Sequence, residues 1–166
     1  MKKFILLLAI FVIMLGCSDS DKNSESNIAL VEKYIQAVED LDSEGMDELL
    51  ADDYMGYGPN YGSSINKEEA IKNWKEFSTT FYKSIDYEKS RNIAVTMPDG
   101  ENKGEWVTNW AELTIVYKKD NAEVTLWANT LYQIENDKII KSFTFYNEAD
   151  ALEQLGYVFI HPGENY

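Results

Sequence analysis

Apolar positions change their period along the chain. From Ile28, the residues Ile28, Val31, Tyr34, Ile35, Val38 and Leu41 recur every three or four positions, the spacing of one helix face. Ser26 or Asn27 offers an oxygen to cap that helix. A second, short helix is expected from Ser43, an N-cap candidate, with Met46, Leu49 and Leu50 on one side. Asp52 to Tyr57 reads as a short strand running into the loop at Gly58-Pro59-Asn60. The clearest helix spans Glu68 to Tyr82. Asn66 and Glu69 have capping-box spacing, Ile65 and Ala70 form a staple, and Ala70, Ile71, Trp74, Phe77 and Phe81 make one stripe.

After this helix the period becomes two. Tyr87 to Met97 predicts a strand ending at the turn signal Pro98-Asp99-Gly100. Glu105 to Tyr117, Glu123 to Ile134 and Lys138 to Asn147 are rich in β-branched and aromatic residues, and polar segments of hairpin length join them. A final helical turn or two, Glu148 to Leu155, stops at Gly156, a suitable C′ residue. Helices followed by an antiparallel meander predict an α+β fold. Strands of about ten residues must twist and bend, so the helix-covered face becomes a concave half-cone. The 166 residues leave no room for two large domains.

The first 17 residues follow a different pattern. Lys2 and Lys3 precede an unbroken apolar run of 12 residues, Phe4 to Leu15, and then Gly16-Cys17. As a helix the run spans about 18 Å, short of the roughly 30 Å hydrocarbon core, which fits a signal peptide better than a transmembrane helix. Met14-Leu15-Gly16-Cys17 resembles the lipobox of bacterial lipoproteins. That resemblance implies cleavage before Cys17, lipidation of its thiol and attachment to a bacterial envelope membrane. By the same resemblance, Ser18 stands where an Asp would imply inner-membrane retention, which points to the outer membrane. The expected organisation is a signal peptide at 1–16, a lipidated flexible tether at 17–27, a folded domain at 28–156 and a tail at 157–166.

Charge narrows the partners. The formal net charge is −14, and removing residues 1–16 takes two lysines with it and leaves −16. Nucleic acid is excluded as a partner, because phosphate neutralisation needs a basic face. Membrane attachment would therefore rest on acyl chains rather than a basic patch. One cysteine excludes an internal disulfide framework and a Cys-cluster zinc site. Nucleophile-elbow, P-loop, dinucleotide and metal motifs are lacking, so no cofactor or metal is expected.

Three stretches in order carry a family resemblance. The first helix leads to Met46-Asp47-Glu48-Leu49-Leu50-Ala51-Asp52-Asp53-Tyr54. The long helix Glu68 to Tyr82 follows a Gly/Ser loop. The end runs Phe145-Tyr146-Asn147-Glu148 and on to Gln154-Leu155-Gly156. Together they resemble the SnoaL-like branch of the nuclear transport factor 2 (NTF2)-like superfamily. The resemblance implies a conical α+β barrel enclosing a pocket, often dimeric through the outer sheet face, in cyclases, isomerases, dehydratases and domains that only bind. In SnoaL-type cyclases an Asp at the end of the last strand, in a His-Trp-Asp-like stretch matched here by Phe145-Tyr146-Asn147, is the acid/base. The matching position here is Asn147, an amide that only hydrogen-bonds, with an N-cap role on the last helix as its structural alternative.

Two other carboxylates are weak catalytic candidates. Glu112 shares a strand face with Trp106, Thr108, Trp110 and Thr114; burial there would raise its pKa, whereas a solvent-facing Glu112 is an ordinary surface charge. Val107, Ala111, Leu113 and Ile115 on the opposite face make the better core. Asp53 lies beside Tyr54, and of Asp52 and Asp53 at most one points inward. Aromatic residues are the stronger signal for a pocket. Trp74, Phe77 and Phe81 on the long helix, Phe143 and Phe145 on the last strand, and Trp127 with Asn129 are expected to line one cavity, with Tyr57 and Asn147 as polar groups. The leading expectation is a small, largely apolar ligand bound without catalysis. A cyclase or isomerase using a pocket carboxylate is the first alternative. The second is a homodimer or docking module that uses an outer sheet face exposing Trp106 and Trp110.

Overall fold

The structure, a computed structural model, describes residues 19–160 and Gly163. Cys17, the proposed signal segment and His161 lie outside the described residues. In chain order the elements are α1 (Asp19–Glu39), α2 (Ser43–Leu49), β1 (Leu50–Tyr57), β2 (Ser64–Asn66), α3 (Lys67–Thr80), β3 (Tyr82–Met97), β4 (Gly104–Tyr117), β5 (Glu123–Glu135), β6 (Lys138–Tyr146) and α4 (Glu148–Gln154).

Two helix starts differ from the sequence expectation. Helix α1 begins at Asp19, so neither Ser26 nor Asn27 caps it, and part of the segment read as a flexible tether is helical. Once Val31, Tyr34, Ile35 and Val38 are packed, extending a formed helix costs far less than nucleating one, even through Ser and Asp. At α2 the cap is Asp42 rather than Ser43. Its Oδ1 accepts from the backbone N–H of Glu44 (3.1 Å) and Gly45 (3.0 Å). Helix α3 starts as its sequence predicts: Asn66 Oδ1 accepts from Glu69 N at 2.9 Å, and Glu69 Oε2 accepts from Asn66 N at 3.1 Å.

The six strands form one sheet in the order β2-β1-β6-β5-β4-β3. β1 runs parallel to β6 and every other pairing is antiparallel. The edges β2 and β3 do not meet, so the sheet curves without closing. Part of the curvature comes from β3, whose register with β4 shifts between Glu88 and Arg91. Lys89 there has φ 51°, and this bulge bends the strand. Three-residue β2 is too short to show a period, and the sequence pattern misses it.

Helices α1 and α3 roof the concave face. Val107 and Ile139 from the sheet pack into the same core as Val31 and Val38 of α1, together with Met46 and Leu50. Each such fully buried aliphatic side chain contributes about 1.5–3 kcal/mol. On β4 the core side is that of Val107, Ala111, Leu113 and Ile115, which turns Trp106, Trp110 and Glu112 outward. Trp106 was expected on an exposed patch, yet it is 1% exposed. The β3–β4 loop folds beneath it, so that the indole N–H donates to Asn102 O (2.8 Å), and Phe143 stacks on the ring.

Candidate functional site

Between the concave face and its helices lies a cavity of about 480 Å³. Trp74 and Phe77 of α3 form part of its roof, and Leu152 and Leu155 border it from α4. The sheet wall alternates with period two: Leu126, Ala128, Thr130 and Tyr132 of β5 face inward beside Ser142, Thr144 and Tyr146 of β6.

Tyrosine is the dominant lining residue. Tyr34, Tyr54, Tyr87 and Tyr132 occupy the more buried part, where Tyr34 and Tyr132 meet edge to face at 5.7 Å. The Tyr54 hydroxyl pairs with Ser142 Oγ at 2.6 Å. Gly56 permits this, because a Cβ at that position would lie 2.7 Å from the Tyr54 hydroxyl. Gly58 serves the rim: at φ 97° it passes so close to the Thr144 carbonyl that no side chain fits. Tyr82, Tyr117 and Tyr146 form a second group nearer α4, with Tyr82 and Tyr117 edge to face at 5.5 Å.

Burial raises the pKa of all seven phenols. Tyr87 is pushed up to about 12 by burial and then by the Glu39 carboxylate, whose Oε1 accepts from Tyr87 N at 2.8 Å. At neutral pH the cavity therefore presents un-ionised O–H groups. A stability consequence follows from linkage. The unfolded chain ionises its phenols near 10.0, so their contribution is intact below that pH and is lost as pH rises through their raised folded values, about 12 for Tyr87. Absorbance at 295 nm during alkaline titration should show these phenols ionising together with loss of the fold. Gradual ionisation of all of them in an intact protein would contradict their burial.

The SnoaL-like domain model matches residues 31–142, more than half of the chain. The chain belongs to the SnoaL-like family. No curated protein matches it. Among solved structures, an LEH-like epoxide hydrolase from M. tuberculosis superposes with TM-score 0.61 at 15% identity, covering 80% of this chain and 86% of that one. A proposed polyketide cyclase from Xanthomonas campestris gives 0.66 at 14% identity, with 80% and 98% covered. A proposed isomerase from Bacillus subtilis gives 0.62 at 14% identity, with 82% and 97% covered. At such identities the likeness is one of fold, and the fold hosts several chemistries.

In this SnoaL-like domain, Trp74 and Phe77 lie on the cavity wall, and Tyr57 borders it. The Tyr57 ring, however, stacks on Phe143 at 4.9 Å. Trp127, Asn129, Phe143 and Phe145 do share one face of the sheet, as their spacing predicts, but it is the outer face. Asn129 there donates to Thr108 Oγ1 (3.0 Å) and Asn109 O (2.8 Å). Phe81 also leaves the wall: it ends α3, 45% exposed, with its ring against Phe77. Asn147 is the N-cap of α4, accepting from Asp150 N at 3.3 Å, and does not line the cavity.

Neither carboxylate candidate reaches the cavity. Glu112 lies on the outer face, 2.7 Å from Lys89 Nζ. Asp53 is exposed, and Asp52 lies 3.4 Å from Lys67. Among the described residues, Glu148 is the one charged side chain that borders the cavity, and no three His, Cys, Asp or Glu side chains are placed to hold a metal. Seven tyrosines dispersed over α1, β1 and β3 to β6 mark this wall beside Trp74 and Phe77, and the sequence pattern did not single them out.

Gln154 ties helix α4 to β5. Gln154 Oε1 accepts from Thr125 N (3.0 Å) and its Nε2 donates to Thr125 O (2.8 Å). Strand β6 ends opposite Ala128, so Gln154 supplies the pairing that a further strand residue would give Thr125. Gln154→Ala should speed amide exchange across Glu148–Gln154 by roughly tenfold, as expected for losing about 1–2 kcal/mol of hydrogen bonding, with little change in strand exchange. Unchanged exchange in α4 would show that Leu152 and Leu155 hold it alone.

Proposed function

We propose that this SnoaL-like domain binds a small, largely apolar ligand between its helices and sheet. The observation that carries this reading is the 480 Å³ cavity walled by aliphatic and aromatic side chains and by un-ionised tyrosine hydroxyls. Apolar walls supply affinity, and a few fixed donors orient the bound molecule. Proton-transfer chemistry finds less support, because Glu112 is paired with Lys89 on the outer face, Asp53 is exposed, and Glu148 at the cavity border is exposed as well. Native mass spectrometry of protein from its own host is the direct test. A retained small molecule is the expected result; its absence, with no uptake of apolar probes, overturns the reading.

The proposed setting is a bacterial envelope, with the domain anchored through lipidated Cys17 at the outer membrane. The lipobox-like Met14-Leu15-Gly16-Cys17 supports this. Cys17→Ser should move the protein from the membrane fraction to the soluble fraction, and unchanged retention would refute the anchor.

A specific observation also favours self-association through the outer sheet face. Trp110 (40% exposed), Trp127 (61%) and Phe145 (54%) stand there with Ile93 and Val95, an apolar patch of the kind that marks an interface. Sedimentation of the wild type against Trp110→Glu tests the dimer.

A further inference from the structure

We propose that the ligand presents an alkylated ammonium group at the α4 end of the cavity, held by the rings around Tyr82 and by Glu148. This inference rests on the ligand-binding reading and extends it to the ligand's charge.

The ring geometry comes first. Trp74, Phe77 and Tyr117 surround Tyr82 at centroid distances of 6.3, 5.6 and 5.5 Å, inclined to it by 60°, 52° and 68°. Each of the three is inclined to Tyr82, and all four rings border the cavity, so together they form an aromatic corner of its wall. An aromatic face carries partial negative charge, so such a corner attracts a cation. A methylated ammonium suits it better than a primary one. Its charge is spread over an apolar shell with weakly held water, so entering the corner sacrifices few hydrogen bonds.

The charges agree. Glu148, the first residue of α4, borders the same end, two positions beyond Tyr146. Among the described residues no Lys, Arg or His lines the cavity. Of the lysines next in sequence to corner residues, Lys118 donates through Nζ to the carbonyls of Ser78 and Thr79 at the end of α3, and Lys83 donates to Asn121 Oδ1. The net charge of −14 adds a field that draws cations toward the protein and repels anions. A carboxylate or phosphate ligand would find no counter-charge on these walls.

The test compares two probes of the same shape, benzyltrimethylammonium and neopentylbenzene, by tryptophan fluorescence titration of the intact protein. The ammonium probe should bind roughly tenfold more tightly, the range expected for a partly desolvated cation–π site. Glu148→Gln, a surface change that leaves the core untouched, should remove several-fold of that preference without altering neopentylbenzene binding. Raising salt should weaken the ammonium probe alone. Trp74→Leu should reduce the preference as well. Equal binding of the two probes, or a preference indifferent to Glu148→Gln, overturns the ammonium inference and leaves the apolar cavity standing. Failure of both probes to bind, together with no ligand in native mass spectrometry, overturns the cavity reading itself.

Discussion

Trp106→Ala is expected to destabilise the protein by about 3–5 kcal/mol, the range for truncating a large buried ring. In a domain of this size that lowers Tm on the order of 10 °C, measurable by calorimetry or circular dichroism. The reason lies outside the main core. Trp106 points to the outer face of the sheet, yet stacking by Phe143 and the hydrogen bond to Asn102 O leave it 1% exposed. Its removal empties a site walled on one side by backbone and on the other by the β3–β4 loop, neither of which collapses easily. Trp127→Ala, on the same face at 61% exposure, should change stability by less than about 1 kcal/mol. Similar losses for the two variants would mean that the loop does not cover Trp106 in solution.

The second large effect concerns the void. Ala128 lines the cavity, and its register partner on β4 is Ala111. The small Ala128 side chain, between Leu126 and Thr130 on the same wall, leaves room that a larger residue would fill. Ala128→Phe should therefore place a ring in the cavity and eliminate ligand retention in native mass spectrometry. Because the ring enters existing space, the stability cost should stay below the 1–3 kcal/mol typical of overpacking, about 1 kcal/mol or less. A retained ligand in a folded Ala128→Phe protein would place binding elsewhere.

These two positions show how far the chain could be read in one dimension. The capping box of Asn66 and Glu69 and the strands on either side of the hairpins were legible, because caps, turns and period-two patterns act within a few residues. The grouping of Trp127, Asn129, Phe143 and Phe145 on one face was legible for the same reason. Their direction was not. On β6 the outward residues, Phe143 and Phe145, are more apolar than inward Ser142 and Thr144, so hydrophobicity points the wrong way. The inward hydroxyls are accommodated by partners distant in the chain, such as Tyr54 on Ser142 and Thr130 on Thr144. Likewise Trp106 and Val107 are adjacent and both buried, which alternation alone cannot express.

Residue order by itself therefore determined the α+β class, the element succession and which side chains share a strand face, since each depends on neighbours a few positions apart. Which face turned toward the helices, and the hollow left between them, were decided only by tertiary structure. The cavity is bounded by α1, α3, α4 and all six strands at once. Its volume is a property of all those walls together, and no local period encodes it.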